Sequence, residues 1–417
     1  MLKNLSIYTL TSLLNSGIPF LLLPILTLYL QPEEFGKLAL FQVILMFCLP
    51  FVNVNIHGAI NVSYFQLDKE RFSQYVSSAI LILCISFFIV MSLFYFFSNL
   101  VYEKLNFPPF WLLLIPVFAL LQSIYMITLT IYQAQEKAFK YAKFLIGNTI
   151  VNFSVSLIFI VYLGLSWEGR LLGIMIATLM SSLLGILIIN NMRYFTVKSF
   201  LPHIKDILHF GLPLLPHAIG GTLLAMSDRF FISALVNQEA LGLYAVAFQV
   251  ASIVFVFVAS INKAWAPYLF KHLADGVSKK EELVIYSYYL FLGIFFSVFV
   301  LWVITPFIFD YLIDEKYAEA LPYVLWLSIG FGLNGMYFIV VNYITYVKKT
   351  YYLAFLTISN GLLALVINYY LISNLGVMGA AYSAVINWFL FFVCAWILSN
   401  RIYPMPWLSA LYKWRRA

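Results

Sequence analysis

The segment LVIYSYYLFLGIFFSVFVLWVITPFIF, residues 283–309, contains no charged side chain over 27 residues. About 20 apolar residues of α-helix are enough to cross the hydrocarbon core of a bilayer. The apolar residues of this segment do not alternate with polar ones, as they would in a strand of a transmembrane barrel. The segment therefore predicts an α-helical integral membrane protein.

The composition of the whole chain agrees with a protein whose main solvent is lipid. Hydrophobic residues make up 63% of the 417 residues, charged residues make up 10%, and the mean hydropathy is +0.94. This composition leaves too little polar surface to coat a water-soluble globule. Because backbone amides in hydrocarbon must be satisfied within the chain, the long apolar runs predict helices.

Neither the cysteines nor the net charge indicates a cofactor or a nucleic-acid partner. Cys48, Cys84 and Cys394 lie far apart within apolar runs, without the spacing of a metal site or a disulfide framework. The net charge of +7 comes from basic residues in loops between the apolar runs. We therefore expect no metal, no other cofactor and no nucleic acid, and we interpret the charge as a signal of topology.

Clusters of Pro, Gly, Asn and charged residues divide the chain into twelve apolar runs. The runs lie near residues 5–30, 38–64, 74–98, 110–132, 144–165, 170–190, 208–236, 241–262, 283–309, 320–346, 351–373 and 377–399. They predict an all-α fold with twelve transmembrane helices, six in each half. We expect an N-terminal six-helix bundle at 1–195, a cytoplasmic linker at 196–206, a C-terminal six-helix bundle at 207–400 and a cytoplasmic interfacial tail at 401–417.

The distribution of Lys and Arg predicts that both termini are cytoplasmic. One side of the alternating topology carries 19 of the 24 basic residues, and Arg229 alone lies inside a span. The other side carries four, which are Lys37, Lys104, Arg170 and Lys316. Cytoplasmic loops of membrane proteins carry such an excess. The richer side holds Lys3, Lys69, Arg71, Lys137, Lys140, Lys143, Arg193, Lys198, Lys205, Lys263, Lys271, Lys279, Lys280, Lys348, Lys349, Arg401, Lys413, Arg415 and Arg416.

The two halves of the chain show an internal repeat. A shift of 206 residues aligns Gly36 with Gly242, Pro116 with Pro322, Lys143 with Lys349 and Gly173 with Gly379. Because each half has an even number of spans, the two copies would insert in the same orientation. This arrangement predicts a pseudo-two-fold axis along the membrane normal and a site at the interface of the halves, which is typical of transporters.

Two segments, one in each half, carry a family resemblance. They are ILTLYLQPEEFGKLALFQ at residues 25–42 and DRFFISALVNQEALGLYAVAFQV at residues 228–250. The chain resembles the polysaccharide-type (Wzx) flippases of the MOP exporter superfamily, whose fold is MATE-like. The resemblance implies that the chain moves an undecaprenyl-pyrophosphate-linked oligosaccharide, such as an O-antigen repeat unit of lipopolysaccharide, from the cytoplasmic to the periplasmic leaflet of the bacterial inner membrane.

The same resemblance leaves other functions open. An ion-coupled multidrug exporter belongs to the same superfamily, although drug exporters commonly use carboxylates in the N-terminal bundle and the first six runs here contain none. Peptidoglycan-precursor flippases of the superfamily typically have two more spans than this chain. A polytopic polysaccharide polymerase or glycosyltransferase is the enzymatic alternative, but the outward loops are short, and we expect no enzyme. The implied partners are the lipid-linked oligosaccharide, membrane lipid, H⁺ or Na⁺ as a coupling ion, and polysaccharide polymerase machinery.

Asp228 and Arg229 are the charged pair that lies clearly within a span, the seventh. A charge at bilayer depth is costly and normally faces a wet cavity. Because the guanidinium is a planar fork suited to phosphate or carboxylate, Arg229 is a candidate ligand for the pyrophosphate or an acidic sugar. The alternative is that both residues pair with neighbours near the outer interface.

The seventh span also presents a stripe of small residues between two titratable groups. His217, Gly221, Ala225 and Asp228 lie on one face at helical spacing. The stripe could line a lumen, with His217 or Asp228 taking part in proton coupling, or it could be a close helix contact. The glycines and prolines at the start of this span, Gly211, Pro213, Pro216, Gly220 and Gly221, predict a kinked or broken helix.

A second polar set is expected near the cytoplasmic end of a central cavity. Asn53 and His57 lie four residues apart in the second span, and Gln249 and Lys263 share a face of the eighth. The repeat places His57 and Lys263 at equivalent positions, so these residues could form a polar ring that receives the pyrophosphate. The alternatives are a structural histidine and a lysine that extends to the interface.

Four asparagines within spans have a more structural interpretation. Asn148 and Asn152 lie in the fifth span, and Asn360 and Asn368 lie in the eleventh. Amide side chains at such positions commonly form hydrogen bonds between helices. We expect this role for them, with contact to the substrate as the alternative.

Overall fold

The computed structural model describes residues 2–196, 203–274, 280–349 and 351–414. Every regular secondary-structure element within these residues is helical, which confirms the all-α prediction. Four basic residues of the topology count lie outside the described residues, as do parts of the predicted linker and tail. They are Lys198, Lys279, Arg415 and Arg416.

The chain divides into two compact units, Met1–Thr222 and Leu223–Ala417. The first unit contains α1 (Leu2–Tyr29), α2 (Pro32–Asn53), α3 (Ile56–Tyr64), α4 (Lys69–Leu105), α5 (Pro109–Ala134), α6 (Ala138–Leu157), α7 (Ser166–Asn191) and α8 (Ile204–Gly211). Helix α9 (Leu215–Leu235) begins in the first unit and ends in the second. The second unit continues with α10 (Gln238–Ala274), α11 (Lys280–Leu312), α12 (Leu321–Tyr346), α13 (Tyr351–Ile402) and α14 (Trp407–Trp414).

The helices account for the twelve predicted spans. Ten candidate spans among the described residues are long and apolar enough to cross a membrane. Helix α13 is two helices joined at Gly376, whose φ of 59° and ψ of −138° lie outside the helical region and are tolerated almost only by glycine. Counting α13 as two helices and adding α1, whose described apolar part is Leu14–Tyr29, gives twelve.

The predicted kink at the start of the seventh span is confirmed. Helix α8 ends at Gly211, a 3₁₀ turn covers Leu212–Leu214, and α9 begins at Leu215. Pro213 lies in that turn and cannot donate a backbone hydrogen bond. The span therefore consists of two helical pieces.

The helix bounds repeat at the spacing that the sequence indicated. Helices α1 and α9 end at residues 29 and 235, α2 and α10 begin at residues 32 and 238, and α5 and the 3₁₀ turn before α12 begin at residues 109 and 315. Each pair is 206 residues apart. The repeat therefore extends from single residues to these helix bounds.

The two segments that carry the family resemblance both start a helix. In the first, the backbone N–H of Gln31 donates to Glu34 Oε2 at 2.8 Å, and Pro32 occupies the first turn of α2. In the second, the backbone N–H of Ala240 donates to Asn237 Oδ1 at 2.7 Å just inside α10. The shared pattern thus includes a helix-capping function.

Candidate functional site

The second span is broken in the first unit. Helix α2 ends where the backbone N–H of Val54 donates to the carbonyl of Pro50 at 2.9 Å. Val54 and Asn55 both have left-handed backbone conformations, with φ of 47° and 52°. Asparagine adopts this conformation readily, but a β-branched residue rarely does. Such strain is most often found at functional sites, where the surrounding packing maintains it.

Packing against Gly211 accompanies the break. A Cβ atom added at Gly211 would lie 2.1 Å from the carbonyl oxygen of Val54. Only a glycine permits this approach of the α8–α9 junction to the α2–α3 junction. The contact brings the first turn of α9, which carries His217, to the side of α3 that carries His57.

A cavity of about 270 Å³ lies at this junction in the first unit. It is lined by Leu49, Pro50, Asn53, Asn55, His57, Met126, Leu214, Leu215, His217 and Ala218. Three of the residues singled out in the sequence, Asn53, His57 and His217, therefore share one cavity. The sequence had suggested two separate roles for them, because His217 was expected on a stripe with Asp228.

Asn53 and His57 are held together by one hydrogen bond. His57 Nδ1 lies 2.9 Å from Asn53 Oδ1, one helical turn away in sequence. The side chain of Asn53 is buried, with 3% exposure, and its Nδ2 atom has no hydrogen-bond partner among the described residues. A buried amide donor without a partner is costly, so a hydrogen bond from this atom to a water molecule or another acceptor would be favourable.

The polar cluster of the second unit is built differently. Asp228 is buried, and its carboxylate accepts a hydrogen bond from the backbone N–H of Arg229 at 2.8 Å and another from the Tyr244 hydroxyl. Beside it, Asn368 Nδ2 donates to Ser227 Oγ at 2.8 Å, and the Ser383 hydroxyl donates to Asn368 Oδ1. These side chains satisfy one another across α9, α10 and α13.

A small cavity adjoins this cluster. Its volume is about 20 Å³, and Asp228, Asn368, Ser383 and Asn387 contribute its polar lining. The space suits a water molecule rather than a sugar. The cavity can therefore hold only a small species, such as a water molecule or an ion.

Arg229 lies against neighbours within the second unit. Its guanidinium carbon is 3.8 Å from the centroid of the Phe248 ring, and Nη1 contacts the sulfur of Met226. Arg229 is 6% exposed, and among the described residues no carboxylate oxygen lies within 4.0 Å of its guanidinium nitrogens. A desolvated cation–π contact of this kind contributes about 2 kcal/mol.

Gln249 and Lys263 do not line either of these two cavities. Both residues lie on α10, where Gln249 is half-buried and Lys263 is exposed. Their expected contribution to a polar ring with His57 stays a prediction.

A family comparison agrees with this architecture. The model of a family described as "Polysaccharide biosynthesis protein" matches residues 1–273 of the 417. The chain belongs to this family. The match covers the whole first unit and, in the second unit, the α9 and α10 residues up to Leu273 that include Asp228, Arg229 and Tyr244.

A relative and two solved structures are also similar to this chain. An "Uncharacterized membrane protein" of Haemophilus influenzae is 27% identical over 363 residues, covering 86% of this chain and 87% of the relative. An inward-facing multidrug resistance MATE family transporter of the MOP superfamily has a TM-score of 0.76 and 16% identity, covering 97% of this chain and 95% of that one. The lipid II flippase MurJ, in an inward closed conformation, has a TM-score of 0.73 and 13% identity, covering 96% and 88%.

These similarities confirm the predicted fold and a multi-pass membrane protein. At such low identity, the solved structures show the fold alone. This fold is one that membrane transporters use. The substrate has to be inferred from the site residues of this chain, because a shared fold does not imply a shared function.

Some polar contacts escaped the sequence analysis. The charge distribution predicts that Arg170 lies in an outward loop, but this residue lies within α7. Its Nη1 donates to Asn152 Oδ1 at 2.5 Å and to Ser156 Oγ at 2.7 Å. Tyr244 was missed because a single tyrosine among 29 carries no positional signal. The position of Tyr244, about two turns after the capped start of α10, was a signal that it lies near α9. Only the packing of the helices shows which side chain of α9 Tyr244 contacts.

The expected interhelical role of the asparagines is confirmed for three of the four. Asn148 accepts from Ser181 Oγ at 2.9 Å between α6 and α7, where Asn152 bonds Arg170. Asn368 bonds Ser227 between α13 and α9. Asn360 instead donates to the carbonyl of Leu356 in its own helix at 2.9 Å.

Proposed function

We propose that this protein is a flippase for an undecaprenyl-pyrophosphate-linked oligosaccharide, an O-antigen unit or a similar surface-polysaccharide repeat unit. It moves the lipid-linked glycan from the cytoplasmic to the periplasmic leaflet of the bacterial inner membrane by alternating access. Both termini are cytoplasmic. No covalent bond is made or broken, so the protein acts as a transporter and not as an enzyme.

The observation that carries this proposal is the unsatisfied polar group in the first-unit cavity. Burying sugars and a pyrophosphate in hydrocarbon is prohibitive unless polar side chains line the path. Asn53, His57 and His217 supply such groups beside apolar walls, and Asn53 keeps a donor free. Membership of a polysaccharide biosynthesis family supports a glycan as the cargo, and the fold shared with a lipid II flippase supports a lipid-linked one.

Arg229 is the proposed contact for the pyrophosphate. Its guanidinium has five N–H donors, and the contacts described above are with a ring face and a sulfur atom. An anionic group would therefore meet a cation that has no carboxylate partner among the described residues. Lys263 and Gln249 on α10 are proposed as further head-group contacts.

Asp228 is the proposed coupling residue. Asp228, Asn368, Asn387 and Ser383 line the small cavity. Each of their side chains contains an oxygen atom, the ligand type that hard cations prefer. A proton or a sodium ion that binds there would act on a cluster that links α9, α10 and α13. His217, on the first turn of the same α9, stays the second coupling candidate, and association with polysaccharide polymerase machinery is a further proposal.

Complementation of a flippase-deficient bacterial host tests the transport function. Surface-glycan display is compared for the wild type, His57→Ala, Arg229→Lys and the lipid-facing control Phe96→Ala, whose side chain is 78% exposed. We expect the wild type and the control to restore display and the two site variants to lose on the order of tenfold, because each removes a polar contact to the cargo. Failure of the wild type to restore display at normal protein level would refute the proposal.

A multidrug exporter is the second candidate, because the fold is also shared with a MATE exporter. The same host strains distinguish the two functions. An exporter would lower the sensitivity of the host to amphiphilic cations in an Asp228-dependent manner, without restoring the glycan. A flippase would restore the glycan and leave drug sensitivity unchanged.

A further inference from the structure

The hydrogen bond between Asn53 and His57 determines which atoms of the two side chains act as hydrogen-bond donors and which act as acceptors. An amide oxygen can only accept, so the 2.9 Å contact to Asn53 Oδ1 requires the hydrogen on His57 Nδ1. In the neutral ring, Nε2 is then left as an acceptor. Asn53 Nδ2 is left as a donor, buried and without a partner among the described residues. The pair therefore presents one free donor and one free acceptor.

The rest of the cavity is largely apolar. Leu49, Pro50 and Met126 line it from α2 and α5, and Leu214, Leu215 and Ala218 line it from the turn before α9 and from α9 itself. Its volume of about 270 Å³ is just below the usual range of drug-sized pockets, about 300–1,000 Å³. Such a space accommodates a single substituted ring with an apolar substituent.

A sugar hydroxyl alone does not use all of these features. It could bond to Asn53 Nδ2 or to His57 Nε2, but it would leave the apolar walls uncovered. A leftover apolar wall and an unpaired buried donor both lower affinity. The matching group carries a strong acceptor, an adjacent hydroxyl donor and a methyl.

We propose that the first-unit cavity recognises the acetamido group of an N-acetylated sugar. The acetamido carbonyl accepts from Asn53 Nδ2, the hydroxyl on the neighbouring ring carbon donates to His57 Nε2, and the methyl packs among Leu49 and Met126. This inference rests on the proposed function and adds the class of sugar to it. It makes Asn53 a specificity residue rather than a general polar contact.

A paired-substrate transport assay tests the inference. The full-length protein is reconstituted in proteoliposomes with undecaprenyl-pyrophosphate disaccharides whose first sugar is either N-acetylglucosamine or glucose. The rate at which each glycan becomes accessible to an impermeant reagent is measured. We expect the acetamido substrate to move on the order of tenfold faster, because the glucose substrate leaves the Asn53 donor unpaired and the methyl site empty.

Two variants and a matched control assign the preference. Asn53→Asp keeps the shape of the side chain and removes the N–H donor, and His57→Gln alters the acceptor; both should bring the ratio of the two rates close to one. Asn61→Asp makes the same chemical change at an exposed position of α3 that does not line the cavity, and it should keep the ratio. The melting temperature of each purified variant is measured first. If one of the two cavity variants is misfolded, the preference is assigned from the other cavity variant.

Each outcome of the assay decides a different claim. Equal rates for the two substrates with the wild type would overturn the acetamido inference and leave the flippase function standing. A preference that survives in Asn53→Asp and in His57→Gln would overturn the assignment to this cavity. No movement of either substrate, under conditions in which a known flippase is active, would count against the proposed function itself.

Discussion

The second span of the first unit and its repeat in the second unit differ at one place. In the first unit the chain breaks at Val54 and Asn55, between α2 and α3. The positions 206 residues later, Ser260 and Ile261, lie inside the continuous helix α10. There, the Ser260 hydroxyl donates to the carbonyl of Val256 in its own helix at 2.8 Å. Equivalent segments have therefore taken different local structures.

This difference bears on the roles proposed for the two units. A cavity lies at the break in the first unit, where Asn53 Nδ2 has no hydrogen-bond partner among the described residues. In the second unit the helix stays intact, and the buried Asp228, Tyr244, Asn368 and Ser383 satisfy one another. The first arrangement suits the binding of a ligand, and the second suits a compact polar cluster that can respond to a small ion.

The largest effect is expected at the contact that accompanies the break. Gly211→Ala would place a Cβ atom 2.1 Å from the Val54 carbonyl oxygen, so one backbone must move. We expect a loss of about 3 kcal/mol of stability, in the range of overpacked sites. The measurement is the thermal unfolding midpoint of the purified protein in detergent.

Gly293→Ala is the matched control for Gly211→Ala. Gly293 lies inside α11, and an added Cβ would meet nothing within 4 Å. Alanine should stabilise this helix by about 1 kcal/mol. Equal midpoints for the two variants would show that the approach of Gly211 to Val54 does not support the fold.

An intermediate effect is expected in the polar cluster of the second unit. Tyr244→Phe removes the hydroxyl that donates to the buried Asp228 carboxylate. Leaving that oxygen unsatisfied should cost about 2 kcal/mol. Tyr311→Phe, at a side chain that is 81% exposed on α11, should leave the unfolding midpoint unchanged. If both variants unfold alike, the Tyr244 contact contributes nothing to the cluster.

The smallest effect is expected from exchanging residues between the repeats. Asn55→Ile places a β-branched residue in a left-handed conformation, at a cost of about 1 kcal/mol. Ile261→Asn makes the reverse change in a continuous helix, where the backbone conformation suits either residue. Thermal unfolding should show a lower midpoint for Asn55→Ile than for the unchanged protein. Equal midpoints for Asn55→Ile and the unchanged protein would mean that the left-handed turn is not maintained in the folded protein.

Much of the fold could be predicted from hydropathy and residue spacing. The twelve runs match the helices, and the predicted boundary between the last two spans falls at Gly376. The start of the seventh span was predicted to be irregular because Gly and Pro interrupt it. The break at Val54 and Asn55 was not predicted, since the run at 38–64 is apolar enough to continue as one helix.

The candidate site was predicted less completely than the fold. Asn53, His57 and His217 were all predicted as site residues, but no sequence pattern places His217 beside the other two. Tyr244 and the internal position of Arg170 were missed. Helical periodicity identifies which side chains share a face, but it does not identify the helix that this face meets.

The sequence by itself determined the membrane environment, the helical class and the place of each span along the chain, because the transfer of apolar side chains and backbone amides into lipid depends on local composition. The tertiary structure alone decided that α2 ends at Asn53, that Gly211 approaches Val54, and that His57 and His217 share a cavity. These features depend on steric fit between segments far apart in the chain. No local pattern contains that information.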